Sequence, residues 1–136
     1  MSDVLDHLHP DRIGHGVRAA KDAAVLARVV EAGVGLELCP ASNVGLGVYP
    51  GLAEVPVARL LAAGARVALG ADDPLLFGSR LLAQYEVART LMGLDDGALA
   101  ALARHSLSLS RAPLERRQAW LTEVDDWLAA PPQAQP

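Results

Sequence analysis

The sequence predicts an α/β fold in which a short parallel sheet precedes a purely helical cluster, and three observations carry that expectation. Up to Pro74, short apolar runs alternate with helical stripes, the pattern of strands joined by crossover helices. Within that stretch a phrase repeats: Ala32-Gly33 and Ala63-Gly64 each follow a helical end and precede an apolar run. The glycines Gly33 and Gly64 lie 31 residues apart, close to the ~30 residues of one βαβ unit. After Pro74 only helical periodicity remains.

Taken in order, residues 12–16 form the first and shortest strand candidate. Ala23, Leu26, Ala27 and Val30 then follow i, i+3, i+4, i+7 spacing and predict a helix, ended by Gly33 in the left-handed conformation helix termini favour. Residues 34–39 form the second strand. Pro56 suits the first turn of the next helix, where its missing N–H needs no partner. That helix carries Val57, Leu60 and Leu61 and ends at Gly64. Residues 66–71 form the third strand. Beyond it, Leu81, Leu82, Tyr85, Ala88 and Met92 mark one helix. Asp95 or Asp96 caps the next, with Leu99, Leu102 and Ala103 inside it. Ala112-Pro113 opens the last, with Trp120, Leu121, Val124 and Leu128 on one face.

Bulk properties narrow the class. The chain has 136 residues, 51% of them apolar, enough for one domain with a hydrophobic core and too apolar for a disordered segment. Sixteen acidic against twelve basic residues give a net charge of −4, which speaks against a nucleic-acid partner because phosphate binding needs a basic face. The single cysteine, Cys39, excludes an internal disulfide framework and suits a reducing cytoplasm. The first ten residues lack the apolar centre of a signal peptide. No apolar run approaches the ~18 residues that span a bilayer, so a soluble protein with no membrane partner is expected. Residues 131–136 are expected to form a frayed tail.

In a parallel α/β sheet, functional groups collect where strands end. Three places qualify: His15 between Gly14 and Gly16; Cys39-Pro40-Ala41-Ser42-Asn43; and Asp72-Asp73-Pro74. All three share one rim under this reading. Adjacent carboxylates after an apolar strand are costly unless a cation, a donor or solvent compensates them. Metal ligation and helix capping both remain open for Asp72 and Asp73. The glycines around His15 fit either close ligand approach or a hydrogen-bonded loop histidine. His7 and His9 have His-x-His spacing but precede the first strand, and are read as solvated. Cys39 reads as a small buried hydrophobe, and without a second cysteine there is no paired-cysteine zinc pattern. The stretch Gly45-Leu46-Gly47-Val48-Tyr49-Pro50-Gly51 lacks the lysine of a P-loop and reads as a flexible rim loop.

Together these strand ends resemble a known family. Arg12-Ile13-Gly14-His15-Gly16, Leu36-Glu37-Leu38-Cys39-Pro40-Ala41-Ser42-Asn43 and Gly70-Ala71-Asp72-Asp73-Pro74-Leu75-Leu76-Phe77 are similar to the last three strand motifs of the adenosine/adenine deaminase family, within the metal-dependent amidohydrolases. Gln84-Tyr85-Glu86-Val87-Ala88 and residues 106–110 resemble that family's C-terminal helices, so the resemblance runs from about Arg12 to Leu128. It implies the C-terminal part of a (β/α)8 TIM barrel, with residues 1–130 as a partial barrel domain holding strands six to eight. It also implies one catalytic metal, usually zinc. Asp72 would be the metal-ligand aspartate, His15 the catalytic histidine that orients and helps deprotonate the attacking water, and Asp73 the residue that hydrogen-bonds the purine. The implied reaction removes the 6-amino group of a purine or purine nucleoside as ammonia.

The remaining ligands of that pattern, an His-x-His pair, a further histidine and a general-acid glutamate, match no positions here. A full barrel takes about 250 residues, and catalytic zinc usually has three protein ligands. The expectation is therefore that the 136 residues alone neither hold zinc tightly nor deaminate. Two open sheet edges and an apolar inner face point to a homo-oligomer or a complementing N-terminal barrel fragment as partner. The alternatives are a non-catalytic, self-associating or deaminase-docking module of the same fold, and an unrelated open α/β binding domain.

Overall fold

The computed structural model describes residues 1–130; the expected frayed tail, residues 131–136, lies outside the described residues. Three strands, β1 (Arg12–Ile13), β2 (Gly35–Leu38) and β3 (Arg66–Leu69), form one parallel sheet in the order β1-β2-β3. Ile13 pairs with Leu36, Leu36 with Val67, and Leu38 with Leu69. Each strand is shorter than its apolar run. Pairing stops where His15 and Asp72 turn into the left-handed region, at φ 53° and 58°, and where Cys39 passes directly into a helix.

Side chains alternate across a strand, and the alternation in β2 divides the sheet. Leu36 and Leu38 are fully buried, packed among Val17, Val29, Leu60, Val67 and Leu102. Glu37 and Cys39 point the other way: a Cβ built on Gly70 would lie 3.2 Å from Oε1 of Glu37 and 3.0 Å from Sγ of Cys39. On that face Nε of Arg12 sits 3.6 Å from Oε2 of Glu37. The second face is thus partly charged, where an apolar one was expected.

The two repeated phrases close identically. Helix α1 (Ser2–Leu8) buries Leu5 and is tied by the Asp6–Arg28 ion pair to α2 (Ala23–Glu31). Asp22 caps α2, its Oδ1 accepting from Ala24 N and Val25 N at 2.9 and 3.1 Å. At the other end Gly33 N–H donates to Val30 O and Val34 N–H to Val29 O, at 3.0 and 3.1 Å. After α3 (Pro40–Gly45) and α4 (Val57–Ala62), Gly64 N–H donates to Leu61 O and Ala65 N–H to Leu60 O, at 2.9 and 3.0 Å. Both are Schellman caps built on a left-handed glycine, φ 65° and 83°. Pro56 stands one position before α4 and not in its first turn.

The helical cluster comprises α5 (Pro74–Phe77), α6 (Leu81–Thr90), α7 (Asp96–Ser108) and α8 (Leu114–Ala129). Asp95, not Asp96, caps α7, accepting from Ala98 N at 2.8 Å. Helix α7 covers the outer side of β3. The alternate N–H groups of β3 serve β2, as Gly70 N–H does toward Leu38 O at 2.8 Å; Val67 N–H points to the free edge and donates to Nδ1 of His105 at 3.2 Å. Arg66 ties the same end of the strand to Gly33 O and Ser108 Oγ, at 3.1 and 3.3 Å. Helix α8 buries no residue fully and is held to α7 by Arg104 Nε donating to Asp125 Oδ1 at 2.8 Å.

Candidate metal and catalytic site

The site stands at the carboxyl end of the sheet. His15 follows β1, Cys39 follows β2 and Asp72 follows β3. Nε2 of His15 lies 3.6 Å from Oδ2 of Asp72. One ligand atom from each of His15, Cys39 and Asp72 lies within 4.8 Å of the other two. His15 is half exposed, while Cys39 is 2% exposed, so the cluster has a buried floor and an open mouth.

Local backbone geometry accounts for this convergence. His15 and Asp72, neither of them glycine, adopt positive φ, a conformation that histidine and aspartate tolerate better than most side chains. Such residues gather at functional sites, where surrounding structure holds them in place. Gly16 is required for packing: a Cβ there would sit 2.6 Å from Cδ2 of Leu36. Gly14 has open space around it. The unusual backbone angle therefore belongs to His15, and the glycine after it lets the chain press onto the core.

The two aspartates separate into different environments. Asp72 faces His15 and Cys39. Asp73 caps α5, its Oδ1 accepting from Leu75 N at 2.9 Å and Leu76 N at 3.0 Å. Capping, left open by the sequence for both, is realised by Asp73. His7 and His9 are not in the cluster; Nδ1 of His7 lies 2.9 Å from Asp3 O in α1.

The fold brings His15 and Cys39 beside Asp72, the one metal donor the sequence identifies. A tetrahedral zinc site with bonds near 2.0–2.3 Å has nitrogen-to-oxygen edges of about 3.3 Å. The 3.6 Å between His15 and Asp72 is close to such an edge. The carboxylate oxygen of Asp72 is a donor that zinc accepts, so the residues present fit part of a metal site. Burial pushes the Cys39 thiol up to about 11, with the charges of Glu37 and Asp72 adding to it. Cys39 was read as a small hydrophobe, and it is buried as that reading requires. Its place in the cluster was signalled by the alternation Leu36-Glu37-Leu38-Cys39, which puts Glu37 and Cys39 on one face. The short helix α3 also went unread: Pro40 at its first position is its only local signature. In α3, Ser42 Oγ and Asn43 Oδ1 are buried without hydrogen-bond partners among the described residues. Gln84 of α6 reaches across to accept from Ala41 N at 3.1 Å.

The sequence profile of the adenosine deaminase family matches residues 1–127. The chain belongs to the adenosine deaminase family. It is 58% identical over 128 residues to a Streptomyces coelicolor protein of the adenosine/adenine deaminase type, covering 94% of this chain and 37% of that relative. It is 40% identical over 124 residues to an adenine deaminase of Rhizobium leguminosarum, covering 91% of this chain and 38% of the relative. Among solved structures, adenine deaminase from Arthrobacter aurescens superposes with a TM-score of 0.89 at 36% identity, over 95% of this chain and 39% of that one. An amidohydrolase from Burkholderia ambifaria solved with bound zinc shares the fold, with a TM-score of 0.77 at 21% identity.

This adenosine deaminase family chain thus spans somewhat over a third of the length of the relatives it matches. Its three parallel strands and following helices are the C-terminal part of the family's TIM barrel. Among the described residues, no helix is long and apolar enough to cross a membrane.

Proposed function

We propose that this chain supplies the C-terminal part of the active site of a zinc-dependent aminohydrolase acting on an adenine- or adenosine-type purine. The convergence of His15 and Asp72, 3.6 Å apart at the strand ends, carries this reading. It is supported by the identity with adenine deaminases. The reaction replaces the 6-amino group with oxygen from water and releases ammonia.

Each residue has a role that its surroundings favour. Asp72 contributes a carboxylate as a metal ligand. His15 presents Nε2 toward the same point and takes the proton of the attacking water, which requires a neutral, unprotonated nitrogen. When bound, the metal supplies a Lewis acid that makes water nucleophilic near neutral pH. Asp73 hydrogen-bonds the purine ring. Both of its capping bonds use Oδ1, which leaves Oδ2 for the ring. The cap also locks the carboxylate rotamer, so the purine meets a group already oriented. An upstream barrel segment completes the site.

The test replaces the matching segment of the Arthrobacter aurescens adenine deaminase with these 136 residues and measures ammonia release from adenine and adenosine after zinc loading. A folded chimera should deaminate at least one of them, and Asp72→Asn should abolish the activity. A folded, zinc-loaded chimera that releases ammonia from neither purine overturns the proposal.

A further inference from the structure

We propose that Gln84 is a positioning residue for purine recognition, holding Asp73 in place without touching it. The inference rests on the reading of Asp73 as the carboxylate that meets the purine, and adds what fixes that carboxylate. Asp73 is bound into a single turn, α5. Its Oδ1 accepts from Leu75 N and Leu76 N, and its carbonyl accepts from Phe77 N at 3.0 Å. The carboxylate therefore goes where the turn goes. Pro74, Leu75 and Leu76 are exposed and Phe77 is only partly buried, and so short a helix is not stable by itself. Its place on the rim has to come from ties to neighbouring segments.

Two ties are present, and both lead to α3. A Cβ on Gly45 would stand 2.8 Å from Cδ1 of Phe77, so glycine lets the turn lie this near to α3. Just past the turn, Ser79 Oγ accepts from Nε2 of Gln84, and Oε1 of the same side chain accepts from Ala41 N at 3.1 Å. Because Ala41 N–H can only donate, the amide oxygen faces it and the amide nitrogen faces Ser79. Gln84 is 1% exposed, so both bonds are screened from water. Ala41 N–H is one of the donors that a helix start leaves without a partner. Among the described residues, the N-cap of α3, Cys39, makes no side-chain capping bond; Gln84 supplies one from 43 residues away. One carboxamide thus joins the start of α3, beside Cys39, to the end of the turn that carries Asp73. A buried donor left unmet is costly, which keeps the carboxamide in one orientation.

The experiment follows amide hydrogen exchange in the native 136-residue chain, with Gln84→Met and Ser79→Ala as variants. Gln84→Met keeps the length of the side chain and removes both bonds. Ser79→Ala, at a partly buried position, removes only the link to the turn. Both should speed exchange at Leu75, Leu76 and Phe77 by at least about fivefold and leave the amides of β2 and β3 at their native rates. Native rates at these three amides in Ser79→Ala, or faster exchange throughout the sheet, overturn the proposal even where Gln84→Met fails to fold. In the chimera with the Arthrobacter aurescens enzyme, Ser79→Ala should raise KM for the purine by at least about threefold, with kcat within about twofold. An unchanged KM, or a loss confined to kcat, overturns it as well. The exchange rates need no purine. A chimera that is inactive before substitution counts against the deaminase reading, and exchange then decides whether Gln84 holds Asp73.

Discussion

At the scale of single residues, neighbouring carboxylates do different work, and substitution can separate them. Asp73 holds the first turn of α5 through Leu75 N and Leu76 N. Asparagine is as good an N-cap as aspartate, whereas alanine costs about 1 kcal/mol. Asp73→Asn should therefore leave the unfolding midpoint unchanged and Asp73→Ala should lower it, as denaturant titration will measure. Cys39 offers a second residue-scale check. Its thiol is held protonated up to about 11 by burial and by Glu37 and Asp72, and only the thiolate is nucleophilic. Alkylation at pH 8 should be much slower in the native chain than in denaturant, and a native rate equal to the denatured one would contradict the burial. His105 works in the opposite sense. Burial, with Arg66 adding to it, lowers its pKa below the ordinary 6.5, and its Nδ1 must be unprotonated to accept from Val67. The unfolded chain then takes up the proton more readily than the folded one, so this contribution is full above about 6.5 and is lost as pH falls below it. Unfolding midpoints at pH 7.5 and pH 5 should diverge less in His105→Asn than in the native sequence.

At the scale of elements, the clearest written signals were the repeated ones. Gly33 and Gly64 mark helix ends because each must take positive φ, and the structure closes both with the same pair of hydrogen bonds. Gly33→Ala meets no atom within 4 Å of the added Cβ, so any loss of stability is purely conformational, about 1–2 kcal/mol, readable as a lower denaturation midpoint. Strand existence and order around the helices were legible for the same reason: apolar runs follow the caps. What could not be read were short elements without the apolar spacing and Ala-Gly ending that mark the equally short α4. Helices α3 and α5 have six and four residues, less than two turns, and neither fills the 11-residue window a helical pattern needs. Helix α1 was hidden by its composition, since only Leu5 of its residues is buried. The site was legible as three strand ends on one rim. Which of Asp72 and Asp73 caps α5 was not, because it depends on one backbone torsion, φ 58° at Asp72, which no residue type dictates.

At the scale of the whole molecule, two surfaces are unfinished. A cavity of about 580 Å³ between α6, α7 and α8 is lined by Tyr85, Leu107, Trp120, Val124 and Trp127, and Trp127 is half exposed. At the strand starts, opposite the site, a larger hollow of about 840 Å³ is lined by Arg12, Arg66, Ser108 and Arg111 among others. It shares no residue with the His15 cluster, so size alone does not mark the chemistry. The apolar lining between α6, α7 and α8, with Leu107, Trp120 and Trp127, favours association. Light scattering across a concentration series should report masses above that of one chain, and a single-chain mass at every concentration would remove the case for an assembling partner.

The two edges of the sheet bear on what such a partner can be. A parallel sheet is polar: the edge of β1 and the edge of β3 are different surfaces, and only β3 carries the Val67–His105 bond. Copies continuing the sheet in parallel must join head to tail, which is heterologous and lacks a two-fold axis. Closure of the family's barrel takes eight strands, and eight is not a multiple of the three found here. Rings of this unit step from six strands to nine and miss the barrel's circumference on either side. Self-assembly can bury the edges, but only a polypeptide bringing the other five strands can restore the curvature on which a barrel-mouth site depends.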